Sequence, residues 1–224
     1  IAFLFIGILD LLHTLAFKGM RVLPWDDANL ATQLWVAARY LESLSFLAAA
    51  LLLARRQSIR EWPVLLGYAA CTGMLLIAIK PLGLFPVAFS APDGLTPFKK
   101  ISECVIAALF VTAGVITWRV RDRLAPTVWR WLLAAMGLKV LSEIAFALYG
   151  TQIDGPLNAL GHLCKGYATL ALYIALIRTT LEMPLSTLFR DLEEREAHNR
   201  VLADATFEGI AVTEDGIILK ANSQ

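Results

Sequence analysis

Charged residues are scarce in this chain. Asp, Glu, Lys and Arg together make up 17% of its 224 residues, whereas a typical soluble domain has about a quarter. The formal net charge is +1, so there is no basic surplus of the kind that binds a phosphate backbone, and we expect no nucleic-acid partner. Apolar residues, in contrast, form 58% of the chain.

Cysteine is also rare, and its spacing excludes the usual metal and redox motifs. Cys71, Cys104 and Cys164 all lie in apolar runs, with no C-x-x-C pair among them. We therefore expect all three to be small buried apolar side chains rather than metal ligands or disulfide partners.

The opening apolar run does not have the pattern of a signal peptide. The opening run IAFLFIGILDLLHTLAF follows no basic segment and contains no small-residue cleavage site. We expect the chain to be part of a longer protein, with at least one more apolar helix before Ile1 and a continuation after Gln224.

Six apolar stretches account for most of the chain. Each is close to the ~20 residues that a helix needs to cross the hydrocarbon core of a bilayer. They lie at 1–17, 30–54, 63–84, 98–118, 129–149 and 157–179. Asp and Asn in the segment DDAN can cap the second helix, and Thr96 followed by Pro97 can begin the fourth. The predicted fold class is an all-α polytopic membrane bundle of six transmembrane helices in this chain.

The arginine-rich loops predict how the bundle is oriented. The segments 55–60 and 119–130 carry most of the loop arginines, whereas the loops after the third and fifth helices have almost no Lys or Arg. By the positive-inside rule the arginine-rich loops are cytoplasmic. Helices one, three and five then run outward, and the chain beyond Arg178 is cytoplasmic.

Ionisable residues recur at helical spacing in five of the six stretches. The pairs are Asp10 and His13, Arg39 and Glu42, Lys100 and Glu103, Lys139 and Glu143, and His162 and Lys165, with Gln33 and Ser142 extending two of the faces. A spacing of three or four places both members of a pair on one helix face. A charge at the lipid-facing centre of a helix costs at least ~2.5–3.5 kcal/mol, so these faces should point into the bundle. With the predicted orientation nearly all of them fall in the outer half of the bilayer.

Two hypotheses explain this polar cluster equally well, and a third remains. The residues form either a network of buried ion pairs that fixes helix packing or a cavity that binds a small molecule or ion. The third hypothesis is a metal or haem site, for which His13 and His162 are the candidate ligands because opposed histidines can hold haem iron. Without a ligand-spacing motif the metal hypothesis is not favoured, and the identity of any cofactor stays open.

The segment 181–202 has the pattern of a signalling helix. Leucines and polar residues follow a 3-4-3-4-3 spacing at Leu185, Leu188, Leu192, Arg195, Asn199 and Leu202. This is the seam of a coiled coil, in which a buried Asn can fix the register of a parallel dimer. We therefore expect a homodimer through the 185–202 helix. The alternative is an amphipathic helix beside the membrane.

Residues 203–224 predict a change from helix to strand. The runs GIAVT and GIILKA alternate in polarity around EDG, which predicts two strands joined by a tight turn. A soluble α/β domain would begin here with its first hairpin.

Two family resemblances complete the sequence analysis. LADATFEGIAVTEDGIILKANSQ resembles the opening of a PAS domain, so 203–224 would be the start of one. The runs FLFIGILDLLHTLAFKGM, ANLATQLWVAARYLESLSFL, FKKISE and GHLCKGYATLALYIAL resemble the third type of bacterial membrane-associated sensor domain, over nearly all of 1–180. That resemblance implies a bacterial inner (cytoplasmic) membrane protein whose domain is an input module of a histidine kinase, as in a two-component system, or of a diguanylate cyclase. The matching motifs contain His13, Arg39, Glu42, Lys100, Glu103, His162 and Lys165.

The predicted function is therefore sensory input rather than catalysis by this segment. An unknown small ligand or ion would bind the polar cluster, and helix six would pass the change to the coiled coil, the PAS domain and an output domain. Gly161 and Gly166 would let helix six approach its neighbours closely. The alternative is a transporter or channel that uses the same buried charges.

Overall fold

A computed structural model describes residues 1–17, 19–20, 22, 27–90, 93–148, 155–177, 211–214 and 217–221. The chain divides into two compact units, residues 1–175 and 176–224. The coiled-coil seam predicted within 181–202 lies outside the described residues.

Within the described residues, the first unit consists of six α-helices, and five of them are long and apolar enough to cross a membrane. They are α1 (Ala2–Leu15), α2 (Ala28–Arg55), α3 (Glu61–Ile79), α4 (Pro97–Arg119), α5 (Pro126–Leu148) and α6 (Pro156–Ile177), with a short 3-10 helix at Arg121–Arg123 between α4 and α5. The exception is α1, whose 14 residues span about 21 Å at 1.5 Å per residue, less than a ~30 Å hydrocarbon core. The structure therefore supports a multi-pass membrane bundle with five helices of full length.

The helix ends follow local sequence signals. The Asp27 carboxylate accepts a hydrogen bond from the Asn29 backbone N–H at 2.9 Å and caps α2. Thr96 caps α4 through the Lys99 N–H at 3.4 Å, with Pro97 as the first helical residue. Both predicted caps are confirmed. The third helix ends at Ile79 rather than 84, because Pro81 has no N–H with which to continue it.

The bundle is apolar outside and charged inside, as expected in lipid. Arg39 and Glu103 have no exposed surface, and Lys139 is 2% exposed, whereas Leu66 and Leu84 are 66% and 73% exposed. The helices pack in the order α1, α2, α4 and α5, while α3 lies against α1 and α2. The three cysteines are free; Cys104 is exposed and Cys71 and Cys164 are half-buried, so the prediction that all three are buried was wrong.

The arginine-rich end of the bundle has the features of a membrane interface. The Arg123 guanidinium donates to the carbonyls of Leu53 and Ala54 at 2.8 and 2.6 Å, so a cation satisfies the C-terminal end of α2. Trp118 and Trp129 pack edge to face, with ring centroids 5.4 Å apart, and the Arg121 guanidinium lies 4.5 Å from the Trp118 centroid. Tryptophan is enriched at both membrane–water interfaces, so this pair is consistent with an interface without deciding which side of the membrane it faces.

Two small sheets complete the fold. In the α3–α4 loop, β1 (Phe89–Ser90) pairs antiparallel with β2 (Gly94–Leu95), a hairpin that the sequence did not predict. In the second unit, β3 (Ala211–Glu214) pairs antiparallel with β4 (Ile217–Ala221), with a register shift between Val212 and Thr213. The hairpin predicted within residues 203–224 is therefore confirmed, while its assignment to a PAS domain stays a prediction.

Candidate functional site

Arg39 is the centre of the buried polar cluster. Its Nη2 donates to both carboxylate oxygens of Asp10 on α1, at 2.6 and 2.7 Å. Its Nη1 forms an ion pair with Glu42, three residues further along α2. Because the guanidinium is planar and keeps its charge, one side chain can hold two carboxylates in fixed directions. Arg39 thus fastens α1 to α2 inside the bundle.

Two lysines extend this network to the other helices. The Lys139 ammonium on α5 lies 2.6 Å from Glu42 Oε1, and the Lys165 ammonium on α6 lies 3.2 Å from Asp10 Oδ1. Asp10 and Glu42 therefore each contact two cations that come from different helices. Residues of α1, α2, α5 and α6 that the sequence predicted to converge are brought together in one network.

On α4 the structure corrects the sequence prediction. The ion pair with Glu103 is formed by Lys99, which is 2% exposed, and not by Lys100. Lys100 is exposed on the outer surface of the helix, beside Ile101 and Cys104. Spacings of three and four residues both fit a helix face, but only Lys99 lies on the side of α4 that faces the bundle.

Glu143 on α5 is buried, and one of its carboxylate oxygens lacks a hydrogen-bond partner among the described residues. The residue is 1% exposed, and that oxygen is Oε2. Its carboxylate interacts electrostatically with Arg39 and Lys99. With Glu143 included, the described cluster holds four carboxylates (Asp10, Glu42, Glu103 and Glu143) and four cations (Arg39, Lys99, Lys139 and Lys165).

Trp35 joins the charged cluster to an aromatic group. Its ring centroid lies 5.2 Å from that of His13, 5.6 Å from that of His162 and 4.8 Å from that of Phe146. The Lys165 ammonium lies 4.1 Å from the same centroid, a distance at which a cation is attracted to an indole ring. Both predicted histidines therefore lie beside the cluster, in contact with one tryptophan.

A cavity of about 340 Å³ lies against this aromatic group. It is lined by His13, Thr14, Phe17, Met20, Ala28, Ala31, Thr32, Trp35, Phe89, Lys99, Phe146, Asn158 and His162. The helical residues among these come from the ends of α1 and α5 and from the beginnings of α2, α4 and α6. The cavity is therefore at the end of the bundle opposite the arginine-rich loops. Its size and its mostly apolar lining with a few polar groups are typical of small-molecule sites.

The α3–α4 loop is fastened beside this cavity by α2. Asn29 Oδ1 accepts hydrogen bonds from the backbone N–H groups of Ala88 and Phe89 at 2.8 and 3.1 Å. Gln33 Nε2 donates to the carbonyls of Phe85 and Pro86, both at 3.0 Å. Gln33, which the sequence placed in the charged cluster, instead fixes this loop.

Helices α5 and α6 meet at a glycine. The Ser142 hydroxyl donates to the Gly161 carbonyl at 2.8 Å. A Cβ on Gly161 would lie 2.7 Å from the Phe146 ring, so only glycine permits this approach. The predicted close approach is thus confirmed at Gly161 and not at Gly166, where a Cβ would meet nothing within 4 Å. Ser142 therefore links α5 to α6 through this hydrogen bond.

The metal hypothesis gains little from the geometry. His13 Nδ1 lies 2.7 Å from the Ala31 carbonyl, which can only accept, so Nδ1 carries the proton and Nε2 is the nitrogen left for a ligand. No group of three or more His, Cys, Asp or Glu that could hold a metal ion occurs within the described ranges. A metal at His13 and His162 would therefore take further ligands from water or a bound molecule.

The sequence analysis did not single out Trp35, Lys99 and Phe146. Aromatic residues in an apolar run carry no polar signal of their own. Their spacing does carry one, because Trp35 precedes Arg39 by four residues and Phe146 follows Glu143 by three. Extending each polar face by one turn would have found both.

Comparison with known proteins identifies the family of this chain. Residues 1–184 match the model of the MASE3 family, a membrane-associated sensor domain. The chain matches no curated protein and no solved structure. The matched region contains all six helices, the charged cluster and every residue that lines the cavity. The chain thus belongs to the MASE3 family of membrane-associated sensor domains.

Proposed function

We propose that this domain is the input module of a bacterial signal-transduction protein and detects a small molecule in the cavity beside Trp35. The observation that carries the proposal is the cavity of about 340 Å³, which shares Trp35 with the charged cluster. A network of ion pairs that only fixed helix packing would have no need of an open space bounded by aromatic rings. The sensor family of the chain supports the same conclusion.

The proposed orientation places the cavity on the outer side of the bacterial inner membrane. The arginine-rich end, with its interfacial Trp118 and Trp129, would face the cytoplasm. The cavity lies at the other end of the bundle. The chain after α6 would then be cytoplasmic, where a PAS domain and a histidine kinase or diguanylate cyclase output can receive the signal.

Helix α6 is the element we propose to move. A ligand changes output only if it interacts differently with two arrangements of the bundle. His162 and Lys165 place α6 at both the cavity and the cluster, since His162 lines the cavity and Lys165 pairs with Asp10. Movement of α6 would be passed to the 185–202 helix, whose predicted dimer seam is sensitive to register.

The transporter hypothesis is less well supported. Transporters commonly bind substrate near the membrane centre, between helices that are broken at that depth. Helices α2, α4, α5 and α6 are each continuous over the ranges that the structure describes. The ion pairs of Arg39, Glu42 and Lys139 lie farther along the bundle than the cavity lining, so the polar cluster closes the inner side of the cavity.

A pair of lysine substitutions tests the proposed function. Lys165 and Lys100 are both lysines within helices, but Lys165 contacts Asp10 and Trp35 whereas Lys100 is exposed on the outer surface. In the full-length protein, Lys165→Met should change the output activity of isolated membranes by on the order of fivefold. Lys100→Met should leave it unchanged. Equal output from both variants and the parent would contradict signalling through α6.

A further inference from the structure

Trp35, one of the residues that line the cavity, carries an unused hydrogen-bond donor. The residue is 5% exposed, and its Nε1 has no hydrogen-bond partner within the described ranges. A buried donor without a partner costs roughly 1–3 kcal/mol, so native structures rarely leave one unsatisfied. Nε1 itself is buried, and a small shift of the indole would let an acceptor atom of a ligand at this wall satisfy it.

Lys99 supplies a second donor at the same wall. Its ammonium lies 5.8 Å from the Trp35 centroid and 6.0 Å from the Phe146 centroid, and the residue lines the cavity. An ammonium has three protons, so the ion pair with Glu103 does not use all of its donors. The hydroxyls of Thr14 and Thr32 are different, because they donate to backbone carbonyls of their own helices at 2.9 and 2.7 Å.

The balance of charges argues for an uncharged ligand. The four carboxylates and four cations of the described cluster already cancel. Lys99, the cation in the cavity wall, is neutralised by Glu103. A ligand with a net charge would therefore meet no uncompensated opposite charge among the described residues of the cluster.

The rest of the cavity lining determines how polar the ligand skeleton can be. Apart from His13, Asn158, His162 and the groups named above, the described wall is apolar, and it includes the aromatic rings of Phe17, Phe89 and Phe146. Rings and alkyl groups pack favourably against such a surface, whereas polar groups would lose their hydration without compensation.

We propose that the cavity binds an uncharged, mainly apolar organic molecule that carries a carbonyl oxygen, with that oxygen accepting from Trp35 Nε1 and the Lys99 ammonium. The proposal rests on the proposed sensory function and adds the chemical class of the ligand. It assigns the indole Nε1 of Trp35 as the group that distinguishes a carbonyl compound from a hydrocarbon of the same shape.

Three probes of nearly equal size test this class. They are 2-acetylnaphthalene, 2-ethylnaphthalene and 2-naphthoate, which respectively present a neutral carbonyl, no acceptor and a carboxylate. Binding to the protein in lipid nanodiscs is measured by competition with labelled 2-acetylnaphthalene, and empty nanodiscs correct for partition into lipid. We expect the ketone to bind about tenfold more tightly than the hydrocarbon and the naphthoate. The Trp35→Phe variant should lose about fivefold to tenfold in affinity for the ketone and keep its affinity for the hydrocarbon.

Each other outcome overturns part or all of the proposal. Equal binding of ketone and hydrocarbon to the parent protein contradicts the carbonyl contact, and tighter binding of the naphthoate contradicts the uncharged class. These parent measurements stand even where Trp35→Phe fails to fold. Absence of displaceable binding by all three probes overturns the ligand class, whereas the proposed function fails only on the output of the Lys165 and Lys100 variants.

Discussion

Replacing Gly161 by alanine tests the contact between α5 and α6. A Cβ at this position would lie 2.7 Å from two atoms of the Phe146 ring and 3.0 Å from a third. The ring has little room to move, because it is 3% exposed and its centroid lies 4.8 Å from that of Trp35 and 5.0 Å from that of His162. The added methyl group must therefore push α6 away from α5 or distort the aromatic group.

Gly166→Ala provides the matched control for the size of this effect. It lies on the same helix, and its Cβ would meet nothing within 4 Å. Both substitutions gain the same helix propensity, so their difference in free energy of unfolding isolates the steric term. Overpacking a well-packed site costs about 1–3 kcal/mol, and we expect Gly161→Ala to be less stable than Gly166→Ala by that amount.

The assay is reversible unfolding of each purified variant in mixed micelles, followed by circular dichroism. Phe146→Leu in the Gly161→Ala background should recover part of the loss, so that the two changes are less harmful together than their sum. Equal stability of the two alanine variants would show that α6 does not depend on close approach at Gly161, and the proposed movement of α6 against α5 would lose its structural basis.

Three further predictions follow from the charges, the loop and the orientation. Arg39→Gln leaves the buried carboxylate of Glu42 and the half-buried carboxylate of Asp10 each short of a partner, and should lower the free energy of unfolding by about 3–5 kcal/mol. Lys100→Gln should change it by less than about 0.5 kcal/mol, and a small loss in both would contradict the buried network. Asn29→Ala removes the acceptor of two loop amides and should speed proteolysis of the α3–α4 loop, and an unchanged rate would contradict that anchor. A reporter fused after Arg121 should be active only as a cytoplasmic reporter, and periplasmic activity would refute the orientation.

The helices were predictable because their signals are local. Run length identified the five full-length membrane helices but also predicted a sixth at 1–17, where α1 is shorter. Asp27 and Thr96 identified two N-termini, since capping depends on residues within one turn. The error at the end of α3 was also local, because the predicted span ran through Pro81. The hairpin at Phe89 had no comparable signal, since its partners are set by contacts with α2 far away in the sequence.

The site was predictable as a set of faces but not as a set of contacts. Helical spacing correctly identified Asp10, Arg39 and Glu42, because charges in lipid must turn inward and pair. Spacing did not decide between Lys99 and Lys100, since either fits a face with Glu103 and only the packing of α4 separates them. Spacing also could not show that Gln33 binds the backbone of the α3–α4 loop. A buried side chain that binds a loop backbone follows the same helical spacing as one that binds a charge.

The two main hypotheses for the polar cluster describe different parts of one structure. Asp10 and Glu42 are each held by two cations, so the network accounts for their burial without any ligand. It does not account for the Trp35 Nε1 or for the adjoining cavity. Lys165 belongs to both parts, because its ammonium lies 3.2 Å from Asp10 Oδ1 and 4.1 Å from the Trp35 centroid. A ligand that displaced or polarised Trp35 would change the balance of forces on this lysine, and with it the position of α6 against α1.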